Sequence, residues 1–199
     1  MVRVQSVALF AVLISAAATG AQSRFTQQDA VRFQAKLARI ESFGAATARP
    51  ARMQSTDLTD TEVNSYLRYG AGAQVPVGIT EPTLNALGAG RVSGRAVVDL
   101  DAVRQQKQRG WMDPIGYLSG KVPVTAAGTL STSNGTGRFQ LESAELSGIT
   151  IPKFVLQELL SFYSRTPGTP NGIDMDAPFQ LPARIKEIKV GTGTATVIQ

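Results

Sequence analysis

The sequence predicts an α+β fold, a strongly curved antiparallel sheet of hairpins packed around two or three helices. Three observations carry that expectation. Residues 91–101 alternate between apolar and polar side chains, with Val97 the one apolar exception, the pattern of a half-buried antiparallel strand. Asn134-Gly135 separates two strand-like runs, the strongest short signal for a hairpin. The elements follow the order helix, strands, hairpin, helix, hairpin, without the strand–helix alternation of a parallel sheet. No repeat of 20–50 residues stands out.

The first segment stands outside the fold. Arg3 precedes an apolar run from Val7 to Ala18, and Thr19-Gly20-Ala21 offers small residues at a cleavage site. Residues 1–21 therefore read as a secretory signal peptide. The run is shorter than the roughly 20 residues a membrane span needs. Retention as an N-terminal anchor is the alternative. The expected location is the periplasm, the cell envelope or the exterior.

Residues 22–52 form a basic arm and linker. Arg24, Arg32, Lys36, Arg39, Arg49 and Arg52 face only Asp29 and Glu41. Residues 53–199 carry 13 basic and 13 acidic side chains, so the excess positive charge of the exported chain sits in the arm. Thr26 is placed to cap a helix, with Asp29 three residues on. Ala30, Phe33, Leu37 and Ile40 then recur at helical spacing, and Arg32, Lys36 and Arg39 follow about 100° round. A basic flank of this kind suits a membrane surface or an anionic partner. A helix docked on the domain, or simply solvated, has the same pattern. Nucleic acid is not an expected partner, because the folded part is neutral and carries no binding motif.

Residues 53–199 read as a single α+β domain. Thr59-Asp60-Thr61-Glu62 is a capping box, followed by Val63, Tyr66 and Leu67 on one helix and by Gly70 and Gly72 as its end. Val75, Val77 and Ile79 alternate as a strand, which Pro82 limits to an edge or turn. In the strand 91–101, Val92, Gly94, Ala96, Val98 and Leu100 face one way. Arg91, Ser93, Arg95, Asp99 and Asp101 face the other.

The hairpin pairs residues 120–132 with 137–148. Asn134-Gly135-Thr136 is also a glycosylation sequon, though the turn accounts for those residues. Phe139 and Leu141 have odd parity while Ala144 and Leu146 have even parity, so a bulge is expected near Glu142-Ser143. Ile151-Pro152 opens a helix over 152–163. Phe154, Val155, Leu156, Leu159, Leu160, Phe162 and Tyr163 make it apolar on most of its circumference, so it is buried against a sheet or lines an apolar cavity. Residues 165–178, rich in Pro and Gly, read as a loop. A last hairpin joins strands near 185–190 and 194–198 through Gly191-Thr192-Gly193.

Chemistry is sparsely represented. The chain has no cysteine and no histidine. That excludes Cys or His zinc sites, disulfides, Cys nucleophiles and Ser-His-Asp triads. No nucleophile elbow, phosphate loop or dinucleotide fingerprint occurs. Asp99 with Asp101, and Glu142 with Glu145, are the carboxylate pairs a glycosidase reading would need. Solvent-facing pairing with Arg91 and Arg95 explains them as well. Asp174 and Asp176 are too few for a calcium site. Tyr66, Trp111 and Tyr117 are aromatic candidates for stacking a ligand or for the core. No catalytic residue, metal or cofactor is expected.

The segment T-x-x-E-V-N-x-Y-L at Thr59–Leu67 is similar to the start of several envelope protein families of unassigned function. Gly148-Ile149-Thr150-Ile151-Pro152, its apolar helix, Phe179-Gln180-Leu181-Pro182 and Ile185-x-x-Ile188-x-Val190 resemble the mycobacterial LmeA-like phospholipid-binding family. More remotely they resemble the tubular lipid-binding (TULIP) folds. The resemblance spans about residues 59–199. It implies a long curved antiparallel sheet wrapped round helices and enclosing an apolar groove for lipid chains. Its motifs hold no chemical signature, so the groove residues come from pattern alone.

The expected function is an exported, non-catalytic binder of lipid or another apolar ligand, in a groove between helix and curved sheet. Phe154, Leu156, Leu160 and Tyr163 would form one wall, with Phe139, Leu141, Val98 and Leu100 opposite. Arg32, Lys36 and Arg39 are the candidate contacts to a membrane or anionic surface. The alternative is a structural or protein-interaction module of the envelope with a closed core.

Overall fold

A computed structural model describes residues 25–47, 52–105, 119–165 and 168–199. The signal-peptide reading of 1–21, Trp111 and Tyr117 lie outside the described residues.

Helix α1 (Gln27–Ala45) begins where Thr26 predicts: its hydroxyl oxygen accepts the Asp29 N–H at 3.1 Å. Helix α2 (Asp60–Tyr69) opens on the expected reciprocal cap. Thr59 Oγ1 accepts the Glu62 N–H at 3.2 Å, and Glu62 accepts the Thr59 N–H at 3.0 Å. The apolar stripe of α1 packs on α2. Ala30, Tyr66 and Ala71 form one buried cluster with Phe33, Leu37, Leu67 and Val75 around it. The Phe33 and Tyr66 rings lie 5.0 Å apart and tilted by 39°. Toward its other end α1 places Ile40 against Ile185 and Val197 in a second cluster. The helix therefore shares both cores with residues 53–199.

Two antiparallel sheets complete the fold. The smaller runs β1 (Ser55–Thr59), then the last strand β9 (Thr194–Ile198), then β8 (Glu187–Val190). The larger has the order β2 (Ile79–Gly88), β3 (Arg91–Asp99), β4 (Lys121–Ser133), β5 (Thr136–Leu146) and β6 (Ile149–Thr150). The short β7 (Phe179–Gln180) also pairs with β5. The sheet is curved but not closed. Helix α3 (Leu100–Gln105) follows β3, and α4 (Lys153–Ser164) follows β6.

Three hairpins of the larger sheet use one device. Ala89-Gly90, Asn134-Gly135 and Ser147-Gly148 each hold both residues at positive φ, which matches the twist of the flanking strands. Only the middle one carries the Asn-Gly signature.

The bulge falls where parity predicts. Ala127 pairs with Ser143 but Gly128 pairs with Leu141, leaving Glu142 as the extra residue. A Cβ at Gly128 would lie 2.6 Å from the Phe139 ring, so the glycine makes room for that ring to lie across the strand.

Two expectations need correction. Residues 75–77 are not a strand; a 3-10 turn, Gly72–Gln74, precedes them and β2 begins at Ile79. Pro82 does sit on the edge strand, at an irregularity between Thr80 and Thr83 where the missing N–H disrupts no ladder. The strand 91–101 stops at Asp99. Its carboxylate accepts the Ala102 N–H at 3.0 Å and starts α3, so Leu100 leaves the sheet and is buried at the head of that helix.

Candidate functional site

The larger sheet is two-faced. Cross-strand partners share a face. Val98 lies between Ile79 and Val122; Val124 faces Leu146, which faces Ile149. Leu130 faces Phe139, and Leu141 lies over Gly128. The other face carries Arg91 opposite Thr129, Arg95 opposite Thr125 and Asp99 opposite Lys121. Apolar side chains thus fill one face across five strands. Most are only half-buried, while Ala144 is fully buried.

Helix α4 packs on β5, one of the strands that carry this face. The Ile151 N–H donates to the Ala144 carbonyl at 2.8 Å and fixes where the helix starts. The polar flank of α4 is strapped by the loop that follows it. Gln157 accepts the Met175 N–H at 2.8 Å and donates to the Ile173 carbonyl at 2.9 Å. Ser164 Oγ accepts the Ile173 N–H at 2.6 Å, and Lys153 pairs with Asp176 at 2.6 Å.

The expected wall residues divide. Val98, Phe139 and Leu141 share the apolar face. Leu156 and Leu160, one turn apart on α4, are half-buried. Phe154 is 70% exposed and does not join them. Residues two apart on a helix are separated by about 200°, so Phe154 and Leu156 point away from each other. Leu100 is excluded by its place in α3. The Tyr163 side chain lies outside the described residues.

The basic flank of α1 divides as well. Arg39 is exposed, and Arg32 pairs with Asp29 at 3.0 Å on the same helix. Lys36 instead turns into the domain. Its ammonium donates to the Asp57 carbonyl at 2.7 Å and pairs with Glu62 at 2.7 Å. Burial alone would raise the Glu62 carboxyl. The Lys36 ammonium and the Thr59 N–H and hydroxyl outweigh it and hold the group below its ordinary value of 4.5.

The carboxylate pairs are occupied structurally. Asp99 caps α3, and Asp101 accepts the Gly120 N–H at 2.8 Å. Glu142 accepts the Thr129 hydroxyl at 2.6 Å and Arg91 at 3.0 Å. The Thr129 bond, helped by Arg91, outweighs desolvation and holds its carboxyl below the ordinary value of 4.5. Asp174 accepts the Asp176 N–H at 2.9 Å. Tyr66 is a core residue whose hydroxyl donates to Gln74 at 3.0 Å. Among the described residues no group of three or more acidic side chains is placed to hold a metal.

Asp60 and Asn64 carry roles that spacing alone did not reveal. One turn apart on α2, they bond alternate residues of β2. Asp60 accepts the Ala86 N–H at 3.0 Å, and Asn64 exchanges two bonds with the Leu84 backbone. The polar i, i+4 pair inside the otherwise core-facing Thr59–Leu67 segment was the available signal.

Among the clefts formed by described residues, two lie apart from α4. One, of about 790 Å³, lies between α2 and the start of β2, with Leu67, Val75, Ile79 and Arg95 among its walls. The other, of about 610 Å³, lies between the end of α1, the Asn134-Gly135 turn and residues 180–186.

No protein-family model and no curated protein matches the chain. A solved structure described as a lipopolysaccharide binding protein matches at 11% identity with a TM-score of 0.23. That match covers 77% of this chain and 45% of the other, so the chain spans less than half the length of that protein. A likeness of this degree establishes neither fold nor function. Among the described residues, no helix is long and apolar enough to cross a membrane.

Proposed function

We propose that this is an exported, non-catalytic protein of the periplasm or cell envelope that binds lipid or another apolar ligand between α4 and the apolar face of the larger sheet. The observation that carries the reading is that face itself. It is apolar over five strands, bent by the bulge at Glu142, and mostly half-buried beside a helix whose Leu156 and Leu160 are half-buried too. An acyl chain there would complete the burial. Each methylene contributes about 0.8 kcal/mol, so ten would give about 8 kcal/mol before the cost of association.

Native mass spectrometry of protein purified from the envelope tests the proposal, followed by extraction and identification of co-purifying lipids. A bound species in the lipid mass range, or uptake of added phospholipid, is the expected result. Consistently unliganded protein that takes up no added phospholipid would leave the face as part of a closed core.

A further inference from the structure

The 610 Å³ cleft has a different character from the apolar face, and lies beyond the opposite end of the β4–β5 hairpin from the start of α4. Arg52, Arg184 and Lys186 all line it, with no acidic side chain among its lining residues. The three are exposed, and among the described residues none of them is in an ion pair or a side-chain hydrogen bond. Like charges gathered with no acidic side chain among them repel one another, and the arrangement is relieved when an anion enters. The side-chain amides of Asn134 and Gln180 add donors at the rim.

The backbone that presents these cations is fixed. The Gly135 N–H donates to the Lys186 carbonyl at 3.0 Å, and the Leu181 N–H to the Gly135 carbonyl at 2.8 Å. Ala183 and Arg184 both hold left-handed backbone, with φ of 51° and 56°, a conformation that side-chain-bearing residues adopt at a cost. The Gln199 amide holds this kink by donating to the Ala183 and Ile40 carbonyls at 2.5 and 2.9 Å. Arg184 therefore enters the cleft from a fixed kink. Phe43, Leu181 and Met53, the last 75% exposed, add an apolar part to the wall, beside Thr47 and Gln199.

We propose that this cleft is a second ligand site, which binds a phosphate group carried by a small molecule or by a lipid headgroup. Phosphate suits three cations better than a carboxylate does, because it brings up to two charges and three strong acceptor oxygens. The site stands independently of the apolar-ligand reading: protein that takes up no acyl chain still has it.

The test uses the full chain and two probes. Calorimetric titration with inorganic pyrophosphate at low salt reads a free phosphate. Co-sedimentation with phosphatidylcholine vesicles, with and without phosphatidylglycerol, reads a headgroup. The variant is Arg184→Asn with Lys186→Gln, since asparagine tolerates the left-handed backbone. Lys121→Gln, at the start of β4, is the charge control. Saturable binding to either probe is expected, weakened about ten-fold or more by the double variant, as the loss of charge-assisted bonds implies, and unchanged by the control. Pyrophosphate binding identifies a free phosphate; binding confined to phosphatidylglycerol vesicles identifies a headgroup. The absence of binding to both probes, or equal losses in the double variant and the control, overturns the proposal. A thermal melt matching the parent shows that the double variant is folded.

Discussion

The side chain of Asn64 pairs with the backbone of Leu84 as a neighbouring strand would. Its amide nitrogen donates to the Leu84 carbonyl at 2.6 Å and its oxygen accepts the Leu84 N–H at 2.7 Å. Asp60 extends the imitation to the Ala86 N–H, and the Gly193 N–H bonds the Ala86 carbonyl at 2.8 Å. The edge of β2 is thereby closed by a helix rather than left to recruit another chain. Asn64 is only 3% exposed, so the pairing is largely shielded from water.

Asn64→Ala removes both bonds and leaves two backbone groups of Leu84 unpaired. The expected loss is about 2–4 kcal/mol, from unpaired buried groups at about 1–3 kcal/mol each with some relief by water. Asn64→Asp keeps the acceptor but sets a carboxylate against the Leu84 carbonyl, and is expected to be no milder. Urea unfolding reads both. A midpoint for Asn64→Ala within error of the parent would show that the edge does not need this clamp.

The Lys36–Glu62 pair predicts a pH dependence of stability. The folded Glu62 carboxyl titrates below its ordinary value of 4.5. Its stabilisation is therefore fully present above that value and is lost as pH falls through the lower, folded one. Glu62→Gln should flatten the stability–pH curve in that acid range. Lys36→Met, which strips a mostly buried carboxylate of its cation, should cost about 1–2 kcal/mol at neutral pH. Parallel acid limbs in parent and Glu62→Gln would refute the assignment.

What could be read in the sequence depended on whether a residue's role leaves a local mark. Asn134-Gly135 announces its turn because both residue types favour positive φ. Ala89-Gly90 and Ser147-Gly148 make the same turn, but alanine and serine give no such warning. The bulge was legible because an extra residue flips the parity of everything beyond it. The end of β3 was not, since an aspartate capping a helix looks like an aspartate on the wet face of a strand. The apolar sheet face followed from alternation. The inner side of α4 did not, because a helix apolar nearly all round has no single stripe, and its strap from residues 173–176 is a tertiary feature. The cleft at Arg184 assembles residues from the end of α1, the β4–β5 turn and the segment 180–186, and no spacing brings those together.

The exposure of α4 separates two classes of substitution. Phe154→Ser should change stability by less than about 0.5 kcal/mol, as an exposed position does. Leu156→Ala and Leu160→Ala should each cost about 1–2 kcal/mol, less than a fully buried leucine because both are half-buried. If the apolar face takes a ligand, uptake of a fluorescent fatty acid should fall with the two leucines and persist in Phe154→Ser. Loss of uptake in Phe154→Ser alone would place the site on the outer side of α4.

Deletion of Glu142 isolates the curvature of the sheet. With that residue removed, Leu141 follows directly before Ser143, and their partners Gly128 and Ala127 are already consecutive. The β4–β5 ladder becomes regular while Phe139, Leu141, Ala144 and Leu146 keep their face. The losses are the bonds from Thr129 and Arg91 on the polar face, an exposed cluster of small energetic weight. The deletion should therefore fold, with a urea midpoint close to the parent's. A straighter strand pair bends the sheet less around α4. If the bend shapes a groove for an apolar ligand, fatty-acid uptake should drop several-fold in the deletion while folding is kept. Unchanged uptake in a folded deletion would show that the bulge shapes the sheet without shaping a site.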